Sequence, residues 1–129
     1  MLKPLARILY VEDEPDIRAI AQMALEAVGG FLVIACASGS EALARAPGAG
    51  ADLLLLDVMM PGMDGPSTLK ALRELPATAN TPVIFMTAKV QAAEVAQYRE
   101  LGAIDVIHKP FDPMELSAQI SRIWELQGG

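Results

Sequence analysis

The chain holds one cysteine and one histidine among its 129 residues, and each scarcity removes a class of chemistry. A lone thiol, Cys36, closes no internal disulfide, so a reducing compartment, the cytoplasm, is expected. It stands in the apolar run Phe31-Leu32-Val33-Ile34-Ala35-Cys36, where it reads as a small core residue. With His108 the sole imidazole, no Ser/His/Asp set is suggested. Positive charge is short too: 10 Lys and Arg against 16 Asp and Glu give a net charge of −6, which argues against a nucleic-acid surface. A net acidic surface suits partners with basic patches. No stretch reaches the roughly 18 apolar residues that span a bilayer, and Met1–Arg7 carries no apolar segment of signal-peptide length. Neither a Gly-x-Gly-x-x-Gly fingerprint nor a Gly-Lys-Ser/Thr phosphate loop occurs, which disfavours nucleotide binding through those motifs.

What is present is an apolar chain, 53% hydrophobic and 20% charged, long enough to bury a core as one domain over 1–129. Strand-like runs at 7–11, 31–36, 52–56, 82–86 and 104–108 alternate with helical patterns. Several runs are apolar at consecutive positions, as expected where helices cover both faces of a parallel sheet. The first helix carries Ile17, Ile20, Ala21, Ala24, Leu25 and Val28 on one stripe and stops at Gly29-Gly30. The second opens on a capping box, Ser38 to Glu41, and is expected to break at Pro47-Gly48. The third follows Gly65-Pro66 and ends near Pro76, and the fourth spans about 90–101. The fifth opens at Asp112-Pro113, with Leu116, Ile120, Ile123 and Trp124 as its buried stripe. The pattern predicts a doubly wound α/β fold, (βα)5, whose site lies at the carboxyl ends of parallel strands.

Those ends carry the chemistry. Leu53-Leu54-Leu55-Leu56 runs into Asp57 and then Val58-Met59-Met60-Pro61-Gly62-Met63-Asp64-Gly65, while Glu12-Asp13 ends the first strand and Lys109-Pro110 the fifth. Alone, each has an ordinary explanation: a loop acid, a helix cap, a surface lysine. Together, three carboxylates about 5 Å apart repel by roughly 3 kcal/mol per pair. A positive group must offset that, and an all-oxygen set suits Mg²⁺. Lys109 offers a fixed ammonium that can pair with Asp57 or with a phosphoryl oxygen. Thr87, by its hydroxyl, and Ala88, by its backbone N–H, can donate to a phosphate, although Thr87 could equally cap the fourth helix. Asp57 is the candidate nucleophile, forming an acyl phosphate. His108 precedes Lys109 on its strand and should point away from it.

This ordered set, with Lys109-Pro110-Phe111 closing it, resembles the receiver domain of two-component response regulators, including the single-domain chemotaxis regulator. The resemblance covers nearly the whole chain. It implies a flavodoxin-like three-layer sandwich of strand order 2-1-3-4-5 and a cis Lys109–Pro110 bond. It implies Mg²⁺ held by Asp13, Asp57 and the Met59 backbone carbonyl, with Glu12 assisting through water. Asp57 would take a phosphoryl group from a histidine kinase or a histidine phosphotransfer protein, with Lys109 and Thr87 contacting it. Output would pass to a protein target through the face formed by the fourth helix, fifth strand and fifth helix, with no direct nucleic-acid or membrane contact. The chain departs from the family at Val106, where an aromatic residue usually couples to the threonine. Asp105 matches part of the ionic set by which some DNA-binding regulators dimerise, but its other members are not found, so a monomer or weak dimer is expected. Met59 and Lys89, each two residues past a site residue, should shield the acyl phosphate from water and slow its loss. A stand-alone switch is the simplest reading of the length, yet the ending Trp124–Gly129 equally suits a receiver cut from a longer regulator or hybrid kinase. A scaffold without phosphorylation would not need the full set of acids, threonine and lysine. A phosphohydrolase would want a second acid where Met59 stands.

Overall fold

Leu53, Leu54, Leu55 and Leu56 are all fully buried in the computed structural model, which describes residues 3–127. Met1 and Leu2 of the N-terminal stretch, and Gly128 and Gly129 of the C-terminal one, lie outside the described residues. At about 2 kcal/mol per buried leucine, that strand alone anchors the sheet by roughly 8 kcal/mol. It is β3 (Leu53–Asp57), flanked by β1 (Arg7–Val11) and β4 (Val83–Thr87), with β2 (Leu32–Cys36) and β5 (Ala103–His108) at the edges. All pairings are parallel and the order is β2-β1-β3-β4-β5. Each strand lies within a residue of its expected place.

Alternate side chains of the sheet face opposite layers. Ile8, Tyr10, Leu53, Leu55, Ile84, Met86 and Ile107 pack with Ala21 and Leu25 of α1 (Pro15–Met23, continued by a π-helical turn at Ala24–Val28) and with α5 (Leu116–Leu126). Leu9, Val11, Leu54, Leu56, Val83 and Phe85 pack with α2 (Gly39–Ala49) and α3 (Gly65–Leu72). The remaining helix, α4 (Ala92–Glu100), places no residue fully in the core. Leu116, Ile120, Ile123 and Trp124 are buried as expected, and Trp124 Nε1 donates to the Lys3 carbonyl at 2.7 Å.

Four local expectations need correction. Ile20 and Val28 are about half exposed, and Val28 lies in the π turn, which admits an extra residue and rotates it off the buried stripe. Helix α2 passes through Pro47 to Ala49, since Ala46 and Ala49 are buried on the sheet and a proline in the last turn removes one backbone bond; Gly50 at φ 61° ends it. Its capping box is displaced: Ser38 accepts from Glu41 N–H, but Glu41 reaches Ala37 N–H instead of Ser38 N–H. Asp112 does cap, accepting from Met114 N–H at 2.9 Å, but it caps a turn that precedes the regular helix at Leu116.

Candidate functional site

The four expected ionic residues meet at the carboxyl end of the sheet. Glu12, Asp13 and Asp57 each offer an oxygen, all within 4.8 Å of one another. Glu12 is completely buried, Asp57 is 3% exposed and Asp13 is half-buried. Lys109 Nζ lies between two of them, 2.8 Å from Glu12 Oε1 and 3.2 Å from Asp57 Oδ1. The ammonium thus spans β1, β3 and the turn after β5.

Backbone bonds fix these positions. Glu12 N–H donates to the Cys36 carbonyl and Val58 N–H to the Met86 carbonyl, which extends the ladders past the last strand residues. Glu14 N–H donates to Glu12 Oε2 at 3.3 Å, and Arg18 Nη1 donates to the Glu12 carbonyl at 2.8 Å. The loop after Asp57 closes through Gly65 N–H to the Val58 carbonyl, and Asp64 caps α3 by accepting from Ser67 N–H at 2.8 Å. Gly65 is needed for space: a Cβ there would lie 2.5 Å from the Asp57 carbonyl oxygen. Lys109 N–H donates to the Thr87 carbonyl at 2.9 Å, and the Lys109–Pro110 peptide is cis.

One ammonium among buried carboxylates leaves negative charge in excess. Burial first, then the Glu12 charge, pushes Asp57 up to about 7 against the pull of Lys109. Burial would lower Lys109, but its bonds to Glu12 and the charge of Asp57 outweigh that and raise it. An oxygen-only set short of positive charge is the chemistry that favours a hard divalent cation.

Thr87 ends β4, is 1% exposed, and accepts from Lys89 N–H at 3.1 Å, which leaves its hydroxyl proton free. It does not cap α4, whose N-cap is Gln91. Ala88, Lys89 and Met59 are exposed around the rim. Val106 is half-buried beside Phe85, and the ring packed on Phe85 comes from α4: Tyr98, at 5.5 Å between centroids. Asp105 pairs with Arg99 of α4 at 3.1 Å, and His108 is exposed. Burial pushes the Cys36 thiol up to about 11, in keeping with an inert core residue.

Sequence reasoning passed over Tyr10, Arg18 and Tyr98. Tyr10 shares the face of β1 with Glu12, two residues on, and is fully buried. Its period-two spacing from Glu12 was the available signal.

The sequence profile of the response regulator receiver domain matches residues 8–121. The transcriptional regulatory protein ResD of Bacillus subtilis is 39% identical over 117 residues, which are 91% of this chain and 47% of ResD. CpxR of Escherichia coli K12, also a transcriptional regulatory protein, is 43% identical over 117 residues, 91% of this chain and 48% of CpxR. The chain therefore spans about half the length of the curated relatives it matches. Among solved structures, the chemotaxis protein CheY4 of Vibrio cholerae superposes with a TM-score of 0.84 at 32% identity, covering 93% of this chain and 99% of that one.

Proposed function

This chain belongs to the response regulator receiver domain family of two-component signalling, and from that premise we propose that it is a phosphorylation-controlled switch with Asp57 as phosphoacceptor. The observation that carries the reading is the Lys109 ammonium lying between buried Asp57 and buried Glu12 at a strand end. An Asp57 oxygen attacks the phosphorus of a phosphohistidine on a histidine kinase or histidine phosphotransfer protein. The P–O bond forms as the P–N bond breaks, and the departing imidazole keeps the electron pair and takes up a proton. Lys109 holds a phosphoryl oxygen, and the Thr87 hydroxyl and Ala88 N–H donate to others.

Asp13 and Asp57, with the Met59 carbonyl, would hold Mg²⁺, with Glu12 assisting through water; the carboxylate oxygens of Glu12, Asp13 and Asp57, all within 4.8 Å of one another, fit that ion. When bound, Mg²⁺ neutralises charge on the transferring group. Beyond its own phosphorylation and dephosphorylation the domain turns over no substrate. The whole chain acts as one receiver in the cytoplasm, and its output is protein contact through α4, β5 and α5, as a monomer or weak dimer.

Intact-mass measurement after incubation with acetyl phosphate and Mg²⁺ tests this. A gain of one phosphoryl group, lost in Asp57→Asn and in EDTA, is expected. A folded protein that gains none from acetyl phosphate or from a phosphohistidine donor would be a scaffold, and the reading would fall.

A further inference from the structure

Among the described residues, Tyr10 Oη is the one buried side-chain polar atom without a hydrogen-bond partner. An orphaned buried hydroxyl is costly, so its position asks for a reason. The ring belongs to the layer under α1 and α5, and on β1 its side chain shares a face with Glu12. Both residues are completely buried. A phenol hydroxyl can donate as well as accept, and Glu12 is the charged acceptor on its face of the sheet.

The ion pairs next to it are shared. Lys109 Nζ serves Glu12 Oε1 at 2.8 Å and Asp57 Oδ1 at 3.2 Å with a single charge. A phosphoryl group on Asp57 brings new acceptors, and Lys109 must turn part of its three-donor head toward them. Glu12 then exchanges part of a direct ion pair for a water-borne contact to Mg²⁺, and its buried oxygens gain from any further donor within reach.

We propose that Tyr10 is a positioning residue whose hydroxyl donates to the Glu12 carboxylate when a phosphoryl group on Asp57 draws Lys109 away. The hydroxyl is a reserve donor, unpaired in the unmodified protein and paired in the phosphorylated one. It favours the modified state without touching the phosphoryl group. The inference rests on Asp57 being the phosphoacceptor.

Tyr10→Phe tests it, with beryllofluoride plus Mg²⁺ as phosphoryl mimic and calorimetry as the readout. Because an unpaired hydroxyl is removed, the unmodified variant should melt at the same temperature as wild type or higher. Its beryllofluoride Kd should rise about tenfold, the effect of one lost hydrogen bond to a charged group. In a Tyr98→Phe background with ¹³C-labelled tyrosine, the Tyr10 Cζ resonance should move on beryllofluoride addition. Adding Glu12→Gln should shrink the effect of Tyr10→Phe, since the interaction runs through that carboxylate. An unchanged Kd, or a stationary Cζ resonance while the mimic binds, overturns the proposal. Wild-type protein that binds no beryllofluoride and takes up no phosphoryl group defeats instead the phosphoacceptor reading on which it rests.

Discussion

Asp57→Asn isolates the electrostatics of the site from the proposed phosphoryl chemistry. Asparagine keeps the shape and removes a carboxyl lifted from 3.8 to about 7 by burial and Glu12. A carboxyl whose folded value lies above its unfolded one holds its proton longer in the folded state. Its cost to stability is therefore absent below about pH 4, grows as the pH rises, and is complete above about pH 7. At about 1.4 kcal/mol per pH unit of separation, the full cost approaches about 4 kcal/mol. That figure already includes the pull of Lys109 at 3.2 Å, and imperfect hydrogen bonding by the amide leaves a net gain of about 2–4 kcal/mol. In urea near pH 8 without divalent metal, the variant's midpoint should lie about 1–2 M above that of wild type. Toward about pH 4 most of the gap should close. Mg²⁺ at ten times its Kd should return about 1.4 kcal/mol to wild type and less to the variant. A variant no more stable than wild type near pH 8 without metal would show that Lys109 already balances the three acids, and the reasoning would be refuted.

Two further substitutions probe the loop after β3. Gly65→Ala drives a Cβ to 2.5 Å from the Asp57 carbonyl oxygen and 2.9 Å from Val58 Cα, both backbone atoms that cannot rotate aside. It should cost about 1–3 kcal/mol and lower Tm by roughly 3–10 °C; a thermal melt identical to wild type would contradict the close approach. Met59→Asn replaces an exposed apolar side chain at the rim with one that can orient water. The phosphorylated form should lose its phosphoryl group roughly three- to tenfold faster, timed by intact mass, and an unchanged or longer lifetime would sink the shielding role.

The sheet was legible because the signal for a doubly buried parallel strand is continuous, and Leu53–Leu56 leaves little else to read. The position of the ionic residues followed from the same rule, since Glu12, Asp57 and Lys109 each terminate such a run. Helix detail was less legible because packing overrides local preference. Buried Ala46 and Ala49 carry α2 past Pro47, and the π turn at Ala24–Val28 breaks the 3.6-residue stripe without any glycine or proline to announce it. Tyr10 and Tyr98 escaped for a different reason. An aromatic in a strand or on a helix reads as ordinary packing, and only its neighbours reveal an orphaned hydroxyl or a ring laid on Phe85.

Helix α4 has a consequence for how free energy is distributed over the molecule. Nine residues is a marginal length for a helix in water, and this one is held to the sheet mainly by half-buried Tyr98 against Phe85, with Arg99 tied to Asp105 at its end. Its amides should exchange with solvent through local openings far less costly than global unfolding, while those of β3 wait for the whole molecule to open. A rigid sheet and a loosely tethered helix stand side by side, joined by the turn that begins at Thr87. A change of only a few kcal/mol at that turn is large relative to what holds α4 and small relative to what holds the sheet. The fold can therefore reposition one helix without risking its own integrity.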